Sequence, residues 1–328
     1  MTGLSDSFQR PINYLRVSVT DRCNLRCVYC MPVDGVPLMP HEDILRYEEI
    51  HDIVEAASEL GISKVRITGG EPLVRAGLSE LIGMLAGIKT IDDISLTTNG
   101  ILLARYAAEL KTAGLRRVNV SLDTLQPEKF RQITRLGNLD DALTGIEAAK
   151  AAGLAPVKIN VVVMRGVNDD EILDFASKTI GEGWHVRFIE RMPSFSAEDT
   201  ADVKFVSSNE ILGSLVSLGE MEPCLVSIGN GPARYFRLPG AKGTIGFITP
   251  VSEHFCFQCN RLRLTADGKL RPCLLSEEEI DLREPLRGGA SVEEMKGLIK
   301  GVVELKPQGH HLAEGRVPQN RPFSGVGG

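Results

Sequence analysis

The sequence lacks the features of a membrane or secreted protein. No apolar run in its 328 residues is long enough to span a bilayer. Residues 1–7 contain no basic segment followed by an apolar stretch, which is the pattern of a secretory signal. We therefore expect a cytoplasmic protein with no membrane partner.

An excess of positive charge is also missing. Lys and Arg number 37 against 43 Asp and Glu, which gives a formal net charge of −6. A nucleic-acid-binding surface needs positive charge, so we expect no nucleic-acid partner. Any site for an anion must then be built from a local concentration of cations.

Cysteine is scarce but clustered. Seven cysteines in a chain of this length do not form a disulfide framework, and clustered spacing indicates metal or redox chemistry. Cys224 stands apart from the others in an apolar-looking segment. We interpret Cys224 as a small buried side chain.

The first cluster is Cys23, Cys27 and Cys30. A complete ligand set for a [4Fe–4S] cluster is four thiolates, so three thiolates leave one iron open to another ligand. A CxxxCxxC motif just after an apolar strand resembles the radical S-adenosylmethionine (SAM) superfamily. That resemblance implies that SAM chelates the open iron through its amino and carboxylate groups.

Strand-like and helix-like segments alternate from about residue 13 to residue 191, which is typical of a parallel α/β domain. We predict strands at 14–19, 64–68, 93–97, 117–122, 157–163 and 185–190, and helices at 47–60, 78–86, 102–113, 139–152 and 169–180. Six such units predict an α/β fold, an incomplete (β/α)6 TIM-like barrel of the radical SAM type. In such barrels the chemistry lies at the carboxyl ends of the strands. The barrel is assigned to residues 1–201 and a smaller C-terminal α+β domain to residues 202–328, where short β-like pieces surround the turn dipeptide Asp267-Gly268.

Basic residues interrupt the predicted strands. They are Arg16, Lys64, Arg66, Lys158 and Arg187. A buried cation is costly unless an anion pairs with it. Each could mark the end of a strand or pair with a carboxylate such as Glu190 or Asp93, but for the set we favour a shared lumen that binds a nucleotide triphosphate.

A second trio, Cys256, Cys259 and Cys273, follows in the C-terminal part. His254 could complete a four-ligand zinc site. Spacing alone leaves zinc and a second iron–sulfur cluster equally supported. If the segment from Cys259 is extended, Cys259, Arg261 and Arg263 lie on one face.

Taken together, several motifs resemble one family over essentially the whole chain. They are CxxxCxxC, Gly69-Gly-Glu-Pro72, the second cysteine trio, Asn260-Arg-Leu-Arg263 and the terminal Gly327-Gly328. The family is the radical SAM GTP 3′,8-cyclases (the MoaA family) of molybdenum cofactor biosynthesis. The resemblance implies two [4Fe–4S] clusters, one on each trio, with the second binding the guanine base.

The resemblance also implies the roles of individual residues. For SAM binding these are Tyr29, Gly70, Ser121 and Met192. For GTP binding they are Arg16, Lys64, Arg66, Thr97, Lys158, Arg187, Arg261 and Arg263. For catalysis they are Arg16, Arg261, Arg263, Gly327 and Gly328, the last two through a tail that reaches the cavity.

The implied activity is a SAM-dependent radical cyclisation of GTP. The implied partners are GTP, an electron donor of the flavodoxin or ferredoxin type, and the next enzyme of the pathway, cyclic pyranopterin monophosphate synthase; the chain would be a monomer or homodimer. Two alternatives remain at this point. One is a peptide-modifying radical SAM enzyme with a second cluster, and the other is a zinc-stabilised binding module without catalysis.

Overall fold

The computed structural model describes residues 3–193, 205–224, 231–314, 317–318, 320–321 and 325–327. Within these residues the centre of the molecule is one twelve-stranded sheet. The strands are β1 (Tyr14–Ser18), β2 (Lys64–Thr68), β3 (Asp93–Thr98), β4 (Arg117–Ser121), β5 (Lys158–Val163), β6 (His185–Glu190), β7 (Glu222–Pro223), β8 (Arg234–Arg237), β9 (Thr244–Ile248), β10 (Arg261–Leu264), β11 (Lys269–Arg271) and β12 (Ile280–Asp281).

The strand order is β12-β11-β10-β1-β2-β3-β4-β5-β6-β9-β8-β7. All strands from β10 through β9 in that order run parallel, and only the two outer pairs at each side are antiparallel. The prediction of an α/β protein with a mainly parallel sheet is therefore confirmed. Strands β9 and β10, expected in a separate C-terminal domain, extend the two sides of this same sheet. A domain boundary near residue 201 stays a prediction.

Helices join the parallel strands. They are α1 (Tyr47–Glu59), α2 (Leu78–Gly87), α3 (Leu103–Thr112), α4 (Pro127–Thr134), α5 (Leu139–Ala151), α6 (Ile172–Gly181), α7 (Ser208–Leu215), α8 (Arg283–Arg287) and α9 (Val292–Glu304). The five predicted helices all exist, with ends that differ from the prediction by at most three residues. Helix α4 was not predicted, although Pro127 at its first turn is a favourable start. In the described parts of the chain, no helix has the length and apolar character needed to cross a membrane.

The two faces of the sheet differ sharply in polarity. One face presents Val17, Ile67, Leu96 and Val120, all fully buried in the core under the helices. The other face presents the alternate positions, where most of the charged side chains of the strands lie. Because side chains alternate along a strand, a single hydrophobic face suffices to fix the fold and leaves the second face for a site.

Candidate active site

The two cysteine trios lie at opposite edges of the parallel sheet. The loop with Cys23, Cys27 and Cys30 follows the carboxyl end of β1, whereas Cys259 precedes the amino end of β10, which is parallel to β1. Cys273 follows β11, which is antiparallel to β10, and so returns to the edge of Cys259. Strands of four or five residues separate the edges by about 15 Å, at roughly 3.3 Å per residue.

The Gly-Gly-Glu-Pro segment supports the first cysteine loop through its backbone. The Gly70 N–H donates to the Thr20 carbonyl at 2.8 Å, and the Glu71 N–H donates to the Arg22 carbonyl at 2.8 Å. A Cβ added to Gly70 would lie 2.5 Å from the Arg22 carbonyl oxygen. Glycine is therefore required by the close approach of the two loops.

The Glu71 side chain then joins this pair of loops to the end of β3. It is buried and accepts hydrogen bonds from the Thr98 hydroxyl and the Asn99 N–H, both at 2.7 Å. The Asn99 amide in turn donates to Asn24, beside Cys23, at 2.8 Å. Burial raises the pKa of Glu71 to about 7, against the lowering effect of its hydrogen-bond donors.

The thiols of the first trio belong to half-buried residues in an acidic environment. Burial, followed by the neighbouring Cys30 and Asp123, holds the pKa of Cys27 well above its usual range. Burial raises the pKa of Cys30 to about 12, with a further contribution from Cys23. Asp123 is buried, and burial raises its pKa to about 6; its Oδ2 accepts the Tyr29 hydroxyl at 2.7 Å.

The predicted SAM contacts gather at this edge. Tyr29 lies in the loop, Gly70 packs beneath it, Ser121 ends β4, and Met192 follows β6. Ser121 and Met192 are both half-buried. The structure thus brings these four residues to the carboxyl edge of the sheet, while their contact with SAM stays a prediction.

The second trio lies among cations. Although burial raises it, the pKa of Cys259 is lowered to about 6 by the Arg261 guanidinium and the Lys306 ammonium. The Lys306 Nζ lies 3.5 Å from the Cys259 Sγ. A thiolate is the form that ligates a metal, and this setting favours it.

Within the described residues, neither trio has its thiols at the spacing of a tetrahedral zinc site. Four-coordinate zinc with Zn–S bonds of about 2.3 Å brings its sulfur ligands to within about 4 Å of one another. Among the described residues, neither trio has its three sulfur atoms mutually within 4.8 Å. A four-iron cube takes each thiolate on a different iron and so needs a wider spacing. His254, the proposed fourth zinc ligand, stacks edge-on against His310 with ring centroids 5.4 Å apart.

Between the two trios, a row of cations crosses the polar face. Arg263 of β10, Arg16 of β1 and Arg66 of β2 are in register on neighbouring strands, followed by Ser95 and Arg117. Side chains in register on parallel strands share a face. The Arg66 Nε donates to the Ser95 hydroxyl at 3.3 Å.

Among the described residues, a carboxylate reaches Arg117 in this row but not Arg66 or Arg263. Asp93 pairs with Arg117, and Glu190 accepts the Ser208 and Val251 amides instead. In the described parts of the chain, no carboxylate oxygen lies within 4.0 Å of the guanidinium of Arg66, Arg187 or Arg263. The alternative that each strand cation is paired with a carboxylate therefore fails for Arg66 and Arg187, the two of these residues to which it applied.

Strands β5, β6 and β8 add a second group of polar residues. The Arg187 Nη2 donates to the Asn119 amide oxygen at 2.5 Å, and the Lys158 Nζ lies 3.4 Å from the Tyr235 hydroxyl. Burial, then the charges of Arg187, Arg117 and Arg66, lower the pKa of Lys158 to about 7. The cations thus repel one another, and an anionic ligand would relieve that repulsion.

Mutual repulsion and burial also act on the arginines. Burial lowers the pKa of Arg66 and of Arg263 to about 10. For Arg263 the charge of Arg261 contributes as well. Of the other predicted GTP contacts, Thr97 is half-buried near Asn119, and Lys64 begins β2, in register with Tyr14 and Asp93.

Several buried polar atoms on this face find no hydrogen-bond partner among the described residues. They include the Tyr14 hydroxyl, the Asn160 Oδ1 and the Arg187 Nε. An unsatisfied buried polar group costs about 1–3 kcal/mol, so such a group indicates a missing ligand or water. Their position among the cations favours a ligand that both accepts and donates hydrogen bonds.

The C-terminal tail enters the same face. The Gly327 carbonyl accepts from the Arg263 Nη1 at 2.8 Å and the Arg16 Nη2 at 3.0 Å. Gly327 has a φ of 65°, and a Cβ there would lie 2.3 Å from the Thr68 hydroxyl. Only glycine adopts this positive φ without strain and also leaves room for the Thr68 hydroxyl. Gly328 lies outside the described residues.

Sequence reasoning missed several residues of the site. Tyr14 lies two residues before Arg16, so the period of two could have placed it on the polar face. Asp123 directly follows the predicted fourth strand and could have been found in the same way. Tyr235 belongs to an outer strand that the sequence did not predict, and no local signal indicates its place beside Lys158.

Comparisons with known proteins agree with this geometry. The model of the radical SAM superfamily matches residues 17–178, and that of Molybdenum Cofactor Synthesis C matches residues 184–312. The chain is 54% identical over 326 residues to a GTP 3′,8-cyclase of Pelotomaculum thermopropionicum, covering 99% of this chain and 100% of the relative. It is 54% identical over 325 residues to that of Moorella thermoacetica, again covering 99% and 100%. In fold it is similar to Streptococcus suis SuiB bound to S-adenosylmethionine, with a TM-score of 0.60, 14% identity, and coverage of 88% of this chain and 68% of that one.

The parallel sheet with its cysteine loop after the first strand defines the class as a radical SAM enzyme, a class that uses a [4Fe–4S] cluster and SAM. Sequence identity to the two relatives over nearly the whole chain then identifies the family within this class. The chain belongs to the GTP 3′,8-cyclase family of molybdenum cofactor biosynthesis.

Proposed function

We propose that the chain converts GTP to (8S)-3′,8-cyclo-7,8-dihydroguanosine 5′-triphosphate, the first step of molybdopterin biosynthesis. The main support is the arrangement of the polar face: within the described residues, Arg66, Arg187 and Arg263 are buried without a carboxylate partner on the face that lies between two incomplete thiolate sets. A triphosphate supplies the missing anion, and a purine supplies donors and acceptors for the unsatisfied polar atoms. The sequence relatives named for the same activity support the same substrate.

Cys23, Cys27 and Cys30 would hold the first [4Fe–4S] cluster, with SAM on its open iron. When bound, this group would supply radical chemistry directed at the ribose of the substrate. Tyr29, Gly70, Ser121 and Met192 would position SAM. The Glu71 network fixes the loop, and the tyrosine hydroxyl is held by Asp123.

Cys256, Cys259 and Cys273 would hold the second cluster, with the guanine base on its open iron. Arg16, Lys64, Arg66, Thr97, Lys158, Arg187, Arg261 and Arg263 would bind the rest of the nucleotide. These side chains belong to strands, so their positions are fixed before the substrate binds. Fixed positions matter because a carbon radical reacts with whatever atom lies nearest.

Arg16 and Arg263 would also orient the tail. They hold the Gly327 carbonyl over the carboxyl end of β1 and β2, on the side of the first trio. The tail, including Gly328, would cover the substrate and exclude water during the radical steps. This gives Arg16, Arg261, Arg263, Gly327 and Gly328 their proposed catalytic roles.

The wider setting follows from the same proposal. The sheet would curve into an incomplete barrel, with a C-terminal domain that contributes the second cluster. Two one-electron steps require a donor of the flavodoxin or ferredoxin type, and the product would pass to cyclic pyranopterin monophosphate synthase in the cytoplasm. No nucleic acid takes part, which agrees with the net charge of −6.

The test is anaerobic incubation of the reconstituted protein with SAM, dithionite and GTP. Deoxyadenosine formation should depend on GTP, and the cyclised nucleotide should appear in equal amount. ATP serves as the matched control, because it offers the same triphosphate without the guanine base. If 5′-deoxyadenosine forms at the same rate with and without GTP, or if ATP stimulates its formation equally, the proposal is contradicted.

A further inference from the structure

Lys306 is a buried cation at the second cysteine trio that the assignments above do not use. It follows the end of α9 and is only 3% exposed. Its Nζ donates to the Pro272 carbonyl at 2.7 Å and the Arg261 carbonyl at 2.8 Å, and it lies 3.5 Å from the Cys259 Sγ. One ammonium therefore ties together the segments that present Cys259 and Cys273.

The charge of Lys306 has no carboxylate partner. In the part of the chain that the structure describes, no carboxylate oxygen lies within 4.0 Å of its Nζ. Arg10 provides a useful contrast, because it also holds this region by donating to the Cys256 carbonyl at 2.7 Å. Arg10, however, is paired with Asp6 at 2.6 Å.

A buried ammonium without an anion costs several kcal/mol. Among the described residues, the group in contact with Lys306 that can become an anion is the Cys259 thiol. The positive charge of Lys306 is therefore balanced when Cys259 is a thiolate bound to metal. Such a cation beside a thiolate ligand stabilises the reduced, more negative form of an iron–sulfur cluster.

We propose that Lys306 is a positioning residue for the second cluster: its hydrogen bonds fix the spacing of Cys259 and Cys273, and its charge raises the reduction potential of the cluster. This inference rests on the proposed function, because that proposal places a cluster on this trio. It adds a residue that the cysteine pattern does not reveal, about thirty positions beyond the last ligand.

A purely structural role is the competing explanation. In that case Lys306 would matter only as a donor to two carbonyl groups. Lys306→Gln separates the explanations, since the glutamine amide keeps two N–H donors and removes the charge. Lys306→Arg keeps the charge, whereas Lys306→Met removes both the charge and the N–H donors. The matched control is Lys300→Gln on the exposed face of α9.

The experiment is an anaerobic redox titration of the full-length reconstituted protein, followed by electron paramagnetic resonance, with iron and sulfide content measured on each sample. In Lys306→Gln we expect the second cluster to be present and its reduced-to-oxidised ratio at a fixed potential to fall about tenfold, which is 59 mV for one electron. Lys306→Arg and Lys300→Gln should titrate like the wild type. Lys306→Met should lose about half of its iron while it retains the first-cluster signal.

A wild-type potential for the second cluster in Lys306→Gln would overturn the inference and leave the proposed function intact. An equal shift in Lys300→Gln would also overturn it, because the effect would then not be specific to the buried site. A wild-type protein with only one cluster would overturn both this inference and the proposed second-cluster site. If Lys306→Met fails to fold, Lys306→Gln and Lys306→Arg still distinguish an effect of charge from a purely structural role.

Discussion

The two cysteine trios lie in surroundings of opposite charge. Near the first trio, buried Asp123 and Glu71 oppose added negative charge and raise the pKa of Cys27 and Cys23, respectively, in addition to the effect of burial. Near the second trio, Arg261 and Lys306 lower the pKa of Cys259 to about 6 against burial. One sheet thus gives two similar ligand sets two different electrostatic settings.

This difference matches the two tasks we propose. A cluster that must transfer an electron to SAM benefits from a low reduction potential, and nearby negative charge lowers it. A cluster that binds the substrate has no such requirement, and nearby cations both stabilise the Cys259 thiolate and attract the nucleotide. We therefore expect the first cluster to have the lower potential of the two.

Removing either trio should separate these tasks most completely. Replacing Cys23, Cys27 and Cys30 by serine should reduce SAM cleavage with dithionite to background. Replacing Cys256, Cys259 and Cys273 should abolish GTP conversion while some uncoupled SAM cleavage remains. Deoxyadenosine and the cyclised product are measured by chromatography.

Cys224→Ser is the matched control for these variants, because Cys224 belongs to neither trio and should be replaceable without loss. Conversion of GTP by the variant that lacks the second trio would contradict the division of tasks.

The cations between the trios should matter next. Arg263→Ala removes a buried guanidinium that contacts the tail, and we expect kcat to fall about 10²-fold, as for loss of one preorganised charge-stabilising donor. Iron content should stay unchanged, because Arg263 is not one of the proposed cluster ligands.

Arg105→Ala, on the exposed surface of α3, is the matched control. Loss of iron in Arg263→Ala would show that the residue supports the cluster rather than the substrate.

The charge beside the first trio can be tested at Asp123. With a pKa raised to about 6 by burial, Asp123 is mostly ionised at pH 7.5. Asp123→Asn should raise the potential of the first cluster by about 60 mV, a tenfold change in the reduced-to-oxidised ratio, and slow SAM cleavage. A redox titration measures the shift, and exposed Asp141→Asn is the control. An unchanged first-cluster potential would remove the electrostatic contrast between the trios.

Lys158 predicts a pH dependence of nucleotide binding. Burial and neighbouring cations lower its pKa to about 7 in the free protein, whereas a bound triphosphate would favour the ammonium and raise it. Binding therefore takes up a proton above pH 7, and affinity should fall about tenfold from pH 7 to pH 8.5.

Anaerobic calorimetry with GTP at several pH values measures the slope of binding affinity against pH. Lys158→Gln should flatten it to the contribution of the phosphates alone, and Lys150→Gln on the outside of α5 should leave it unchanged. Equal slopes for wild type and Lys158→Gln would exclude Lys158 from the triphosphate site.

The smallest expected effect is at Tyr14. Its hydroxyl is buried without a partner in the described parts of the chain, and the residue is 2% exposed. If the hydroxyl binds the nucleotide, Tyr14→Phe should weaken GTP binding about two- to tenfold, the value of one neutral hydrogen bond. Tyr106→Phe on α3 is the control. Binding at wild-type strength would assign the Tyr14 hydroxyl to bound water instead.

The sequence was most informative where the chemistry and the strand period coincide. Strands β2 and β6 were predicted to the residue, because alternation and turn signals both mark them. Arg66 and Lys158 stood out as charges in apolar strands, and the structure places both on the polar face.

What the sequence could not show depends on contacts between distant segments. The pairing of β10 with β1 joins residues more than 240 positions apart, and it places the second trio opposite the first. Lys306 reaches Cys259 only because α9 ends beside β11, and Tyr235 reaches Lys158 from an outer strand. No local pattern specifies these contacts, since register and strand order are set by packing of the whole sheet.

The count of iron and sulfide per chain in anaerobically reconstituted wild-type protein tests the central claim most directly. Two [4Fe–4S] clusters on two separate trios predict about eight of each per chain, falling to about four when either trio is replaced by serine. A wild-type count near four, unaffected by loss of Cys256, Cys259 and Cys273, would contradict the account.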